Sequence, residues 1–365
     1  MPKTSKPNLI LLINVAVLVV FGLLMIMSAE MAISAERFNQ SFHYVKSQIL
    51  KGLIPGMILG YIAYLIPYPF WRKFAKPIFL ASLILLALVF IPKIGMEFSG
   101  AKRWINVWGI SFQPSELAKL AFVIFIAYFL EHRGALIKNR DTLYSFLVTL
   151  AVVGLLIAFQ PDIGTLGVFA LTGVAMYFIA GAPLKYIFVL CGLGLAALAA
   201  MIKFFPHASQ RIQVLFHPEL DPKGIGYQID QILIALGSGG IFGQGLAQSK
   251  QKFLYLPQPV GDSIAAVIGE ELGFIGLTIL AGLFVAFAIQ GFKIARNAPD
   301  QFAKFLATGI TCLIVIQAFI NIMATIGLIP LTGVTLPFIS HGGSSLVVSL
   351  IGVGILLNIS KYEKR

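Results

Sequence analysis

The chain has 365 residues, 58% of them apolar and only 12% charged. Soluble domains are about 45–50% apolar and about 25% charged, so this composition excludes an ordinary soluble enzyme and equally excludes a disordered chain. The net charge of +12, from 27 Lys and Arg against 15 Asp and Glu, would point to nucleic acid in a soluble protein. In a membrane protein it records cytoplasmic loops facing anionic lipid, and no nucleic-acid partner is expected.

Crossing a bilayer core takes about 20 apolar residues in a helix. The sequence reads as all-α, one integral-membrane domain over 1–365 with ten transmembrane helices. They are expected at 9–28, 46–66, 77–92, 114–130, 143–159, 163–181, 185–203, 263–291, 303–328 and 336–359. The first is too long for a signal-peptide core and reads as an uncleaved anchor. Gln160-Pro161-Asp162 makes a tight turn between the fifth and sixth. With both termini cytoplasmic, the inside segments carry fifteen Lys and Arg. The short outside segments carry six: Arg37, Lys46, Lys51, Lys93, Lys102 and Arg103. That asymmetry predicts an N-in, C-in topology. One long extracytoplasmic loop, 204–262, then joins helices 7 and 8, and Ile229, Ile232, Leu233 and Leu236 within it are spaced as an amphipathic helix.

Charges near the midplane cost about 2.5–3.5 kcal/mol each, so acids at or within the spans are informative. Glu116 and Lys119 lie three apart on one helix face behind Pro114. They form either a structural ion pair or the polar wall of a substrate cavity. Asp162 precedes a helix and is most simply an N-cap. Asp262, at the end of the long loop, is either an N-cap or a general base at a cavity mouth. Glu270 and Glu271 are adjacent and cannot face the same way; one of them reaches a cavity while the other contacts a neighbouring helix. Lys102 and Arg103 beside Trp104 fit an interfacial anchor or a phosphate-binding fork. The glycines of 237–245 match no nucleotide-binding spacing and read as a closely packed or flexible loop. Cys191 and Cys312 lie in apolar runs and suggest neither a disulfide framework nor a metal cluster.

In order along the chain stand Gly100-Ala101-Lys102-Arg103-Trp104-Ile105, Gln113-Pro114-Ser115-Glu116 with Lys119, and Gln160-Pro161-Asp162-Ile163-Gly164-Thr165. Then come Tyr227-Gln228-Ile229, Leu256-Pro257, Ile268-Gly269-Glu270-Glu271-Leu272-Gly273, and Thr335-Leu336-Pro337-Phe338-Ile339-Ser340 with Gly342-Gly343-Ser344-Ser345. This set resembles the SEDS family of FtsW and RodA, over nearly the whole chain and closer to FtsW. One departure is Val260-Gly261 ahead of Asp262, where the family commonly has His-Thr.

The resemblance implies a peptidoglycan glycosyltransferase in the bacterial cytoplasmic membrane that polymerises lipid II at its outer face during division or elongation. It implies Asp262 as the catalytic carboxylate and Glu116 with Lys119 as a cavity pair. Lys102, Arg103, Asp162, Glu271 and Ser344 join them as substrate-binding candidates. No cofactor is evident. A divalent cation, Mg2+ or Mn2+, is compatible with Asp162 or Asp262 as ligands, but no ligand spacing specifies one. The implied partners are a class B penicillin-binding transpeptidase and other divisome or elongasome membrane proteins. A lipid II flippase is the alternative reading.

Overall fold

In the computed structural model, residues 6–38, 42–92, 94–98, 101–107, 110–204, 206–253 and 255–363 are described. Each expected span falls on a helix. These are α1 (Leu9–Phe38), α2 (His43–Leu65), α3 (Ala75–Leu88), α4 (Pro114–Arg133), α5 (Arg140–Ala158), α6 (Ile163–Ile179) and α7 (Leu184–Phe204). The long loop folds into α8 (Pro206–Phe216) and α9 (Ile225–Gly239), and α10 (Ile264–Arg296), α11 (Gln301–Thr325) and α12 (Gly343–Ser360) complete the chain. Among the described residues, eight helices are long and apolar enough to cross a membrane; α3 and α6 are apolar but shorter. The all-α class holds, with one small addition. The connection before α4 pairs into an antiparallel sheet, β1 (Gly95–Phe98), β2 (Ala101–Val107) and β3 (Ile110–Phe112), in the order β1-β2-β3.

Lipid tails are as apolar as leucine, so helices in a bilayer associate through close packing and polar contacts. Both devices are present. On α2, Gly52, Gly56 and Gly60 recur every fourth residue and let α12 approach. A Cβ on Gly60 would lie 2.7 Å from the Leu350 carbonyl oxygen, and one on Gly354 would fall onto the Gly60 carbonyl. Residues Ile49–Leu53 of α2 form a π-helical turn just ahead of Pro55. Proline cannot donate to the carbonyl four residues back and clashes with it, so the wider turn accommodates it.

The centre of the bundle is α11, packed by α4, α6, α10 and α12. Its buried face carries Thr308, Thr311, Gln317, Asn321 and Thr325 among apolar residues. By contrast α7 stands at the periphery and is exposed through residues 191–200, as expected of a helix that is apolar all round and faces lipid.

Helix α10 is interrupted at Gly273, where φ is 66° and ψ −165°. The glycine-rich segment after α9 docks on that break. The N–H groups of Gln244 and Gly245 donate to the carbonyls of Glu270 and Glu271 (2.9 and 3.0 Å). Those of Phe274 and Ile275 donate to the carbonyls of Gly240 and Ile241 (2.9 and 3.2 Å). Backbone groups freed by a helix break must be paired within the protein, and here a second chain segment pairs them. Close approach requires glycine: a Cβ on Gly239 or Gly243 would strike the Gly269 or Glu271 carbonyl. Of the 237–245 glycines, Gly239 at the end of α9 and Gly243 are closely packed, whereas Gly237 and Gly240 have open space where a Cβ would stand. Of the amphipathic stripe on α9, Ile229 and Ile232 are buried and Leu236 is partly buried, whereas Leu233 is exposed; Ala235 takes its place in the core.

Candidate functional site

The segment Leu331–Thr335, between α11 and α12, is a hub for most of the polar residues at one end of the bundle. Gly333 has φ 69°, and a Cβ there would lie 3.9 Å from Asp262 Oδ2. Arg211 of α8 donates to the Leu331 carbonyl (3.1 Å). The first turn of α6 touches the hub on another side: a Cβ on Gly164 would lie 2.7 Å from the Thr332 carbonyl oxygen. Asn321 donates to the Val334 carbonyl (2.8 Å) and to the Asp262 main-chain carbonyl (2.9 Å). Gln317 donates to the Thr335 carbonyl (3.0 Å).

Asp262 is partly buried at the end of the long loop. Ser263, not Asp262, is the residue that precedes α10, so the N-cap alternative does not hold. Burial pushes the Asp262 carboxyl up from its ordinary 3.8 to about 6. Hydrogen bonds from its own N–H, the positive charge of Arg211, and bonds from the Ser263 N–H and the Gln228 side chain oppose that rise. Gln228, on α9, also donates to Ser263 Oγ (3.0 Å). A carboxylate with a pKa near 6 is ionised at neutral pH yet basic enough to take a proton.

Arg103 faces the same region. Its Nε donates to the Gln160 carbonyl (3.1 Å), its Nη2 donates to the Pro161 carbonyl, and Nε lies 3.9 Å from Asp162 Oδ2. Asp162 caps α6, as expected, by accepting from the Thr165 N–H (3.2 Å). Arg211 is held below its usual pKa chiefly by burial and next by Arg103, while Asp162 and Asp262 act the other way. Two guanidinium groups and two carboxylates thus meet around the hub. Lys102 is exposed and does not join them. The physical reason is the strand: successive side chains of β2 point to opposite faces, so Lys102 and Arg103 cannot both face the bundle.

The remaining candidates are brought elsewhere. Glu116 and Lys119 form the expected pair (2.8 Å), and both are buried. Lys119 also donates to Gln317 Oε1 (2.5 Å). The pair sits in a narrow crevice between α4, α11 and α12, alongside Leu313, Pro337 and Val348. Ser344 accepts from the Gln113 N–H (3.1 Å), joining α12 to the start of α4. Glu271 lies away from Asp262: it is fully buried, pairs with Lys252 (2.7 Å) and accepts from Ser28 of α1 (2.6 Å). Glu270 turns to the same loop, accepting from the Ser249 hydroxyl and from the Lys250 N–H (2.8 Å). Both acids therefore anchor the loop ahead of Asp262; Glu271 also contacts the neighbouring helix α1, as expected of one of the two, while Glu270 turns to the loop and not to a cavity.

Among the described residues no three His, Cys, Asp or Glu side chains are grouped so as to hold a metal ion. Asp162 and Asp262 are engaged by N–H groups and arginines, a donor set that suits an anion between the arginines better than a resident cation. Arg211, Gln317, Asn321 and Lys252 were not candidates from the sequence. Arg211 lies in a loop where a cation is unremarkable. Gln317 and Asn321 carried the readable signal, two amides four residues apart in a mostly apolar span.

The sequence profile of the FtsW/RodA/SpoVE family, described as cell cycle proteins, matches residues 8–365. Stage V sporulation protein E of Bacillus subtilis (strain 168) is 41% identical over 365 residues, covering 99% of each chain. A protein of Geobacter sulfurreducens named probable peptidoglycan glycosyltransferase FtsW is 40% identical, covering 99% of this chain and 97% of its own. Among solved structures, a chain of a peptidoglycan synthase complex that coordinates polymerisation and crosslinking superposes with a TM-score of 0.78. It is 26% identical over 97% of both chains. The rod shape-determining protein RodA of Thermus thermophilus superposes with a TM-score of 0.71 at 26% identity, over 98% of both chains. The chain belongs to the FtsW/RodA/SpoVE family and is a multi-pass protein of the cytoplasmic membrane.

Proposed function

We propose that this chain is a peptidoglycan glycosyltransferase that polymerises lipid II. The observation that carries the reading is the gathering of Asp262, a partly buried carboxylate with a pKa near 6, with Arg211, tied to Leu331, and Arg103, tied to the Gln160-Pro161 turn. In the reaction a sugar hydroxyl of one lipid-linked disaccharide attacks the anomeric carbon of another. The new C–O bond forms as the bond to the polyprenyl pyrophosphate breaks, with inversion at that carbon. The hydroxyl proton passes to Asp262, a contribution of about 10²–10⁴-fold. Negative charge grows on the leaving pyrophosphate, and Arg103 and Arg211 are the cations positioned to receive it. A guanidinium fork matches two phosphate oxygens at once. Lys119, neutralised by Glu116, serves the framework instead.

The Lys and Arg asymmetry supports N-in, C-in topology, which places the hub at the outer face. Solved relatives in a complex for polymerisation and crosslinking support a class B penicillin-binding transpeptidase as partner. The flippase reading is not favoured, because the relatives are named for glycosyl transfer and the pair Glu116–Lys119, near the start of α4, is buried in a narrow crevice. A divalent cation, where used, would accompany the substrate pyrophosphate, and the residues at hand give it no step of its own. The test is purified protein with labelled lipid II, with and without the partner and with chelator. Asp262→Asn is expected to form no glycan strands; polymerisation at the wild-type rate would sink the assignment.

A further inference from the structure

Helix α11 presents two amide side chains one turn apart to the hub, Gln317 and Asn321, exposed by only 3% and 2%. A buried amide is costly unless its groups are paired. Gln317 is paired at both ends, accepting from Lys119 Nζ and donating to the Thr335 carbonyl. Asn321 is not. Its amide nitrogen bonds the carbonyls of Asp262 and Val334, whereas its Oδ1 is buried with no hydrogen-bond partner among the described residues. An unpaired buried acceptor costs about 1–3 kcal/mol. An apolar side chain of similar size would avoid that cost but would leave the Asp262 and Val334 carbonyls without this donor. What Asn321 supplies is a pair of donors, and they join the two segments that bring Asp262 beside Gly333 and Arg211.

We infer that Asn321 is a positioning residue for the glycosyl transfer. By pinning the Asp262 main chain to Val334, it sets where the Asp262 carboxylate stands relative to Arg211. Through the adjoining Thr335 and Gln317 it links that placement to the Glu116–Lys119 pair on α4. This gives the buried ion pair a part in the reaction that needs no contact with substrate. The inference rests on the assignment of Asp262 as the base.

Full-length protein and Asn321→Leu are compared with labelled lipid II across pH, with Asp262→Asn alongside. Turnover in Asn321→Leu is expected to fall by about tenfold to a hundredfold, the scale of a small misplacement of a reacting group, with KM for lipid II within about twofold. The acidic limb of the pH profile is expected to move to higher pH. A carboxylate displaced from Arg211, with Arg103 and Asp162 the other charges near it, loses part of what holds its pKa down. Thermal stability is expected to fall modestly, because the Asp262 and Val334 carbonyls both lose their donor while only one unpaired acceptor is removed. An unmoved acidic limb overturns the inference, whatever the turnover. If Asn321→Leu fails to accumulate, Asn321→Ala, which cannot overpack the site, carries the same expectation for the acidic limb. Wild-type polymerisation by Asp262→Asn would instead overturn the assignment of the base and leave Asn321 without a carboxylate to position.

Discussion

Replacing Asp262 by Asn removes an ionisable group whose folded-state pKa is about 6 against an ordinary 3.8. Two consequences of opposite sign follow. If the carboxylate is the base, the wild-type rate follows its ionised fraction, about nine-tenths at pH 7, about half at pH 6 and about a tenth at pH 5. Polymerisation should therefore drop about tenfold from pH 7 to pH 5, and Asp262→Asn should be inactive throughout. Stability moves the other way. A carboxyl with a raised pKa folds more favourably when protonated, so its ionisation costs stability above pH 6 and costs nothing below pH 4. The displacement corresponds to a ceiling of about 3 kcal/mol at pH 7.5. Arg211, which loses its counter-charge in the variant, keeps the gain beneath that ceiling. Equilibrium unfolding in detergent at pH 7.5 and pH 4 measures it. A variant that is no more stable at pH 7.5, or is stabilised equally at both pH values, would refute the reasoning that burial raises this pKa.

Lys252→Met leaves Glu271 charged and fully buried without its partner and should destabilise by about 3–5 kcal/mol. The double replacement Lys252→Met with Glu271→Leu should recover most of that loss, which unfolding of the three proteins checks. Gly273→Ala meets both a positive φ and the backbone of Ile241 and Gly243. It should unseat the 240–245 segment, seen as faster amide exchange there. Arg211→Ala should lower kcat/KM for lipid II by about 10–100-fold, and Arg211→Lys should restore only part, since an ammonium lacks the planar fork.

The helices were legible because a bilayer imposes one rule on every span, and the 58% apolar content has few other uses. Individual polar residues were legible when their role was local. Glu116 and Lys119 are one turn apart on a helix, and Asp162 caps the turn that follows it. Residues whose role depends on a distant segment were not. Glu271 resembles a cavity acid until Lys252, nineteen positions earlier, is seen to neutralise it. Lys102 and Arg103 are equivalent as composition and opposite once a strand forms. Arg211 becomes informative only when α8 folds back on Leu331.

The Leu331–Thr335 hub itself carries no ionisable side chain and gave no chemical signal. Its function is to offer carbonyls, to Arg211, Asn321 and Gln317, and a bare Cα at Gly333 beside Asp262. A backbone used this way escapes any reading based on side-chain chemistry. It also explains why the charges at this end of the bundle are held apart yet close. Each is tied to main chain, so the arginines keep donors free for an incoming pyrophosphate without collapsing onto Asp162 and Asp262. Most of the few charged residues set topology or brace the bundle, and the small set gathered around the hub is what remains for chemistry.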